Sequence, residues 1–295
     1  MNTSSVFDLI GNTPLIKLRN ENILAKAEFL NPGGSVKDRV ALAMIEAAEE
    51  DGELTSGMKI VEPTSGNTGI GIALVGRAKG YRTCIVMPEG MSQERKNIMR
   101  ALGSELILTP DEDNIAGAVE KAEALVKQWG GYMPQQFKNP NNALAHYRHT
   151  APELEMQAGR RIDAFVSGVG SGGTIQGVGT YLKERNPAIH IAAAEPKNAS
   201  ALLGHEPGLH QIQGIGDGFI PDILDVSLID SVIEVTDEDA IATTRELALG
   251  NSLLCGTSSG ANVWAARQIA KAHPDWLIAT ILPDRAERYF STALL

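Results

Sequence analysis

Cysteine is nearly absent from this chain. Two thiols, Cys84 and Cys255, occur in 295 residues. They form no C-x-x-C pair and no disulfide framework. Cys84 sits in Thr83-Cys84-Ile85-Val86-Met87 and reads as the core of a strand. Cys255 precedes a Gly/Ser loop and reads as a small buried residue or one near a site. Positive charge is also scarce, with 26 Lys and Arg against 36 Asp and Glu, a net charge of -10. Such a surface repels nucleic acid and anionic membranes, so neither is an expected partner. It leaves room for a small anionic ligand, because local backbone dipoles bind anions inside acidic proteins. No apolar run reaches the roughly 18 residues of a membrane span. The six histidines show no H-E-x-x-H or other metal spacing, so no metal is expected. The first eleven residues lack a basic stretch followed by an apolar core, which argues against a signal peptide and for the cytoplasm. Repeats, low-complexity tracts and a Pro/Gly/Ser-rich linker are all missing.

What is present is a rhythm. Short apolar runs at 58–62, 82–88, 105–109, 163–167, 189–195 and 277–283 read as buried strands. Helical patterns near 67–79, 92–102, 114–129, 174–185, 237–249 and 259–272 fall between or after them. This alternation predicts an α/β protein whose mostly parallel sheets are covered by helices on both faces. The loop Gln136-Phe137-Lys138-Asn139-Pro140-Asn141-Asn142 is the best crossing between domains. The run 204–222, rich in Gly and Pro, is the longest without periodicity, and long irregular loops in compact domains are often functional.

Three loops open helices. The first is Asn31-Pro32-Gly33-Gly34-Ser35-Val36-Lys37-Asp38-Arg39. Ser35 fits an N-cap, with Asp38 three residues on completing a capping arrangement. Lys37 then falls in the first turn, where the helix dipole disfavours an ammonium and helps the amine act as base or nucleophile. The same spacing fits a surface lysine held by Asp38. The second loop, Pro63-Thr64-Ser65-Gly66-Asn67-Thr68-Gly69, is a cradle for a carboxylate or phosphate, or a well-capped turn. The third, Gly168-Val169-Gly170-Ser171-Gly172-Gly173-Thr174, lets an anion approach a helix N-terminus closely. Its letters also match the dinucleotide fingerprint, and Glu195 lies about 20 residues on, where a ribose-binding acid would stand.

Six ordered segments carry a resemblance. They are the lysine loop, the 64–69 loop, the 170–174 loop, Gln135-Gln136-Phe137-Lys138-Asn139-Pro140, Gly214-Ile215-Gly216-Asp217-Gly218-Phe219-Ile220-Pro221, and Gly256-Thr257-Ser258-Ser259-Gly260. Together they resemble the cysteine synthase (O-acetylserine sulfhydrylase) family of fold-type II, tryptophan synthase β-like, pyridoxal-phosphate enzymes. The resemblance implies pyridoxal 5'-phosphate as cofactor. It implies a smaller mobile α/β domain at 38–140 and a larger cofactor-binding α/β domain from 1–37 and 141–295. Lys37 is similar to the lysine that carries the cofactor and moves protons. Gly170, Ser171, Gly172, Gly173 and Thr174 resemble its phosphate cup, Asn67 the partner of its ring oxygen, and Ser258 the hydroxyl facing its ring nitrogen. Thr64, Ser65, Gly66, Thr68 and Gln136 resemble the binders of the substrate carboxylate. Ser258 also fits a helix N-cap.

The implied activity is β-replacement: O-acetyl-L-serine, or a related β-substituted alanine, loses its substituent to leave α-aminoacrylate, and sulfide adds to give L-cysteine. A homodimer and a docked serine acetyltransferase tail are the implied partners. Val36 stands where serine/threonine dehydratases of this fold usually carry Phe, which favours a synthase. A catalytically dead binding protein is opposed by the intact lysine, cup and ring-nitrogen hydroxyl. One departure stands out. The family usually has Ala or Ser where this chain has Asp217. A carboxylate there repels hydrosulfide and could activate water. That opens a second expectation, the interconversion of cysteine and serine with hydrogen sulfide, alongside cystathionine β-synthase-like activity. The alternative is that Asp217 turns outward or pairs with Arg285. Arg148 and His149, in a segment that also departs from the family, are expected at the rim or an interface.

Overall fold

The computed structural model describes residues 5–64 and 66–294, apart from the side chain of Asn114. Two sheets organise it. The larger has six strands: β1 (Leu15–Lys17), β2 (Ile23–Lys26), and the strands at Ala164–Gly168, His190–Pro196, Ser231–Val235 and Ile278–Ile281. The smaller is formed by β3 (Lys59–Pro63), β4 (Arg82–Pro88) and β5 (Glu105–Thr109), parallel and in chain order. Numbering the remaining four strands β6 to β9, the larger sheet runs β1-β2-β9-β6-β7-β8. Only the β1–β2 pair is antiparallel.

The strand residues explain the layers. β4 reads Arg-Thr-Cys-Ile-Val-Met-Pro and is buried after its first residue, as expected for a parallel strand covered on both faces. Successive side chains point to opposite faces. Ala192 and Ala194 of β7 thus join one core and Ile191 and Ala193 the other. Likewise Ile60, Ile85 and Met87 pack on one side of the small sheet, and Val61, Cys84 and Val86 on the other. Around the small sheet lie α1 (Lys37–Glu50), α2 (Asn67–Ala78), α3 (Gln93–Ala101) and α4 (Asn114–Trp129). Then come α5 (Pro140–Ala145), a π-helical turn at His146–Thr150, and α6 (Ala151–Ala158). The large sheet is covered by α6 and α7 (Gly173–Arg185) on one face and by α8 (Asp237–Asn251) and α9 (Thr257–Ala272) on the other.

The α/β expectation is met, and every strand read from the sequence falls within two residues of an observed one. Strands β1, β2 and β8 were not anticipated. β1 has three residues and β2 four, too short to show a period. The helical stretch 140–158 also went unread, since it is interrupted by a π turn and carries Pro140 and Pro152 at helix starts. Residues 204–222 contain no helix or strand, as their composition predicts. Among the described residues, no helix is long and apolar enough to cross a membrane.

A buried ionic cluster fixes the start of α1. Arg39 Nε donates to Glu28 Oε2 at 2.7 Å and its Nη1 to Glu153 Oε1 at 2.8 Å. Lys26 Nζ donates to Glu153 Oε2 at 2.6 Å, and Thr13 and Asn31 also donate to Glu28. Burial pushes the Glu153 carboxyl up, but hydrogen bonds and charge from Arg39 and Lys26 outweigh it and hold it at about 2. The cluster joins β2, α1 and α6, so it sets where the helix bearing Lys37 begins. Replacing one partner strands the others without water. Glu28→Ala should therefore cost about 3–5 kcal/mol of unfolding free energy, measurable by urea denaturation; a cost below about 1 kcal/mol would show the cluster to be dispensable.

Candidate active site

Loops at the carboxyl ends of β3 and β6 face each other across a cavity of about 320 Å³. In open parallel sheets this is where ligands bind. Lys37, Thr64, Gly66, Asn67, Thr68, Gln136, Gly170 to Thr174, Asp217 and Ser258 all line it. All the described residues expected at the site are thus brought to one cavity. Ser65 lies outside the described residues.

Lys37 is the first residue of α1. Its backbone N–H donates to Ser35 Oγ at 3.2 Å. The expected capping pair is not formed, because the cap position is Val36 and Asp38 accepts from Gly33 N instead. The Lys37 amine reaches inward and donates to Ser171 Oγ at 2.8 Å. Burial lowers its pKa to about 8, against the pull of Asp217 and Glu62. A surface lysine held by Asp38 is therefore not what the structure contains.

The Gly168–Thr174 loop turns through Gly172, whose φ of +80° favours glycine. Helix α7 starts at Gly173, so unpaired backbone N–H groups and the dipole face the cavity. A Cβ on Gly173 would overlap the Asn142 amide, so backbone approach here needs glycine. Glu195, the candidate ribose acid, accepts from Ser200 Oγ and Leu202 N. Those bonds give it a structural role in the loop after β7, and the dinucleotide reading loses its acid.

Asn67 opens α2 and donates through Nδ2 to Asp284 Oδ2 at 2.7 Å, while its Oδ1 is buried without a partner. Thr68 Oγ1 donates to Gln136 Oε1 at 2.5 Å. Beneath both lies Glu62, which accepts from Gln135 N at 3.0 Å and Gln136 N at 3.3 Å. Burial raises the Glu62 carboxyl to about 7. Ser258 lies inside the first turn of α9, buried; the cap itself is Gly256, so Ser258 is not the N-cap.

Asp217 stands on the cavity wall. It is an exposed residue that opens onto the cavity; the surrounding protein atoms push its carboxyl pKa up, while Lys37 and His210 pull it down. Arg285 is elsewhere, donating to Phe29 O and Asn31 O. The Arg285-paired placement is thus not observed, and Asp217 is both exposed and part of the cavity lining. Arg148 and His149 are exposed on the π turn.

Several site residues were not anticipated. Glu62 is hidden in a strand run and His210 in the irregular 204–222 stretch. Asn142 belongs to the Asn-Pro-Asn-Asn run, whose polar density was its only signal. The two cysteines are buried away from the cavity lining.

A half-buried amine at a helix start, a glycine cup on a second helix and a hydroxyl on a third define a cavity suited to an anionic, carbonyl-bearing cofactor. The free N–H groups at the start of α7 behind Gly172 fit the anionic part of such a group, and the Lys37 amine its carbonyl. Residues 6–284 match the family described as pyridoxal-phosphate dependent enzyme. A cysteine synthase from Staphylococcus aureus is 49% identical over 298 residues, covering 98% of this chain and 96% of its own. The crystal structure of an O-acetylserine-dependent cystathionine β-synthase from Helicobacter pylori superposes with a TM-score of 0.94 at 44% identity, covering 100% of this chain and 99% of that one. A hydrogen sulfide-producing enzyme from Fusobacterium nucleatum gives a TM-score of 0.94 at 41% identity, covering 98% and 100%. The chain belongs to the pyridoxal-phosphate-dependent enzymes, and pyridoxal 5'-phosphate is its cofactor.

Glu62 gives the site a pH signature. Its folded pKa of about 7 exceeds the ordinary 4.5. The folded protein therefore holds a proton that the unfolded chain releases, and stability is lost as pH rises from about 4.5 to about 7. Glu62→Gln should flatten this decline by on the order of 3 kcal/mol. Urea unfolding at several pH values checks this; an unchanged slope would mean that Glu62 ionises normally.

Proposed function

We propose that this protein is a cysteine synthase: O-acetyl-L-serine and hydrogen sulfide go to L-cysteine and acetate. The observation that carries the reading is the Lys37 amine, half-buried, lowered to about 8 and held at the glycine cup. The full-length similarity to cysteine synthases supports it.

Pyridoxal phosphate, when bound, supplies an electron sink that acidifies the α-carbon of an amino acid and eases departure of a β-substituent. Lys37 is the residue that carries it, with Gly170, Ser171, Gly172, Gly173 and Thr174 around the phosphate. Asn67 would serve the ring oxygen and Ser258 the ring nitrogen. A hydroxyl at that nitrogen holds a proton there less strongly than a carboxylate would, which suits elimination. Thr64, Ser65, Gly66, Thr68 and Gln136 receive the substrate carboxylate through backbone N–H groups, hydroxyls and an amide. Lys37 then takes the α-proton, since an amine lowered to about 8 is part neutral near pH 7. It returns that proton once sulfide has added at the β-carbon. The unit 38–140 closes on the unit 1–37 and 141–295 to exclude water during these steps. A homodimer, a cytoplasmic setting and docking of a serine acetyltransferase tail at the cavity mouth complete the proposal.

One observation favours a second reading. Asp217 shares the cavity with Lys37, and a carboxylate whose pKa is raised by the protein around it is a base for water or for a thiol. The protein then also releases hydrogen sulfide from cysteine and forms serine, or joins a thiol amino acid as a cystathionine β-synthase does.

Absorbance spectroscopy separates these readings. Purified protein should show a cofactor band near the visible edge, and Lys37→Ala should abolish it or leave it unable to exchange. O-acetylserine should change the band and sulfide restore it. No band after reconstitution would overturn the assignment. Asp217→Ala should leave sulfide-dependent cysteine formation within about threefold and cut serine formation from cysteine by at least about 100-fold. Equal serine formation in both proteins would remove Asp217 from the chemistry.

A further inference from the structure

Asn142 is fully buried on α5, behind the cavity wall. Its helix is fixed by Asn139, whose side chain accepts from Asn141 N and donates to Pro134 O. Both N–H groups of the Asn142 amide are spent. One goes to the backbone carbonyl of Gln136 at 2.8 Å and the other to Ser171 Oγ at 2.9 Å. A carbonyl can only accept, so the amide cannot flip without setting two oxygens against each other. Its Oδ1 is thereby turned toward Gly173, buried and without a partner.

The consequence falls on Ser171. Its oxygen accepts from Asn142 Nδ2 and from Lys37 Nζ. A hydroxyl has two acceptor positions and one proton. When the cofactor engages Lys37, the Asn142 N–H still fills one acceptor position, and the Ser171 proton is left to donate, as an anion in the cup requires. The other arm of Asn142 holds Gln136, whose N–H is bound by Glu62 and whose side-chain oxygen receives Thr68. Asn142 is therefore the one described side chain that hydrogen-bonds both to the glycine cup and to the residue expected to receive the substrate carboxylate.

We infer that Asn142 is a positioning residue that couples carboxylate binding at Gln136 to the cofactor phosphate at Ser171. It touches neither ligand and acts through two hydrogen bonds from a single amide. The inference rests on the cofactor placement proposed above. Movement of Gln136 toward a carboxylate pulls on the amide, and the amide reorients the hydroxyl of Ser171. Contiguous hydrogen bonds of this kind carry coupling between neighbouring sites, and the coupling is reciprocal.

Phosphorus NMR of the holoenzyme reads the coupling directly. The bound phosphate resonance is recorded before and after saturation with L-alanine, which has the carboxylate but no leaving group. In the wild type the resonance should move. In Asn142→Ala and Asn142→Asp the cofactor should still bind, but the move should be lost. The KM for O-acetylserine should rise by roughly tenfold with kcat within about threefold. Asn142→Asp has the shape of asparagine but no N–H to give, and Asn142→Leu fills a similar space without a charge, so a packing role would spare the leucine variant where the inference spares neither. Thermal unfolding of the variants confirms that the fold persists, and Asn142→Asp decides alone where alanine unfolds the chain. A resonance that moves equally in wild type and Asn142→Asp overturns the inference alone. Absence of any bound phosphate signal in the wild type overturns the cofactor placement, and the inference with it.

Discussion

The amine of Lys37 meets Ser171 Oγ at 2.8 Å, across 134 residues of sequence. One partner opens α1 and the other precedes α7. The contact brings the start of a helix on the small sheet to the start of a helix on the large one. Neither end can drift. The Arg39–Glu28–Glu153 cluster lies directly behind Lys37, and Asn142 holds Ser171 from the side. Placement of the lysine thus depends on buried ions that never enter the cavity. An isolated surface pair would give it little support, whereas a buried and fully hydrogen-bonded cluster gives it a single geometry.

The electrostatics follow from the same enclosure. Taking a group out of water favours its neutral form. Lys37 is pushed down, while Glu62 and Asp38 are pushed up to about 7. An acidic protein of net charge -10 therefore keeps a pocket in which anions are welcome. The positive ends of α2 and α7 and the glycine loop supply the attraction, and the carboxyls nearest the cavity carry less than their formal charge.

Much of this was legible in the sequence. The strands at 82–88 and 105–109 match the observed β4 and β5 residue for residue, since a short apolar run bounded by polar and turn residues leaves a clear mark. Lys37 and the glycine cup each sit at a helix start, but local chemistry left a surface lysine and a dinucleotide loop open, and only the ordered resemblance to a known family singled them out. What remained hidden is long-range. Glu62 looks like any residue in an apolar strand, and its partners Gln135 and Gln136 are more than 70 positions away. Asn142 looks like a polar loop residue until the fold sets Ser171 beside it. The direction in which Asp217 faces was open for the same reason. Local pattern fixes elements, whereas the pairing of distant loops comes from packing.

The burial of both thiols bears on durability. Cys84 is raised to about 11 and Cys255 to about 12, chiefly by desolvation. Thiolate is the reactive form, and at neutral pH these residues hold only about one part in ten thousand or less of it. A catalyst whose proposed co-substrate is sulfide and whose product is a thiol works amid sulfur compounds that, wherever an oxidant turns them into disulfides, react by way of thiolates. Here it presents no thiolate of its own for them to capture. The scarcity of cysteine that opened the sequence is, in the folded protein, an insulation from the chemistry of its own product.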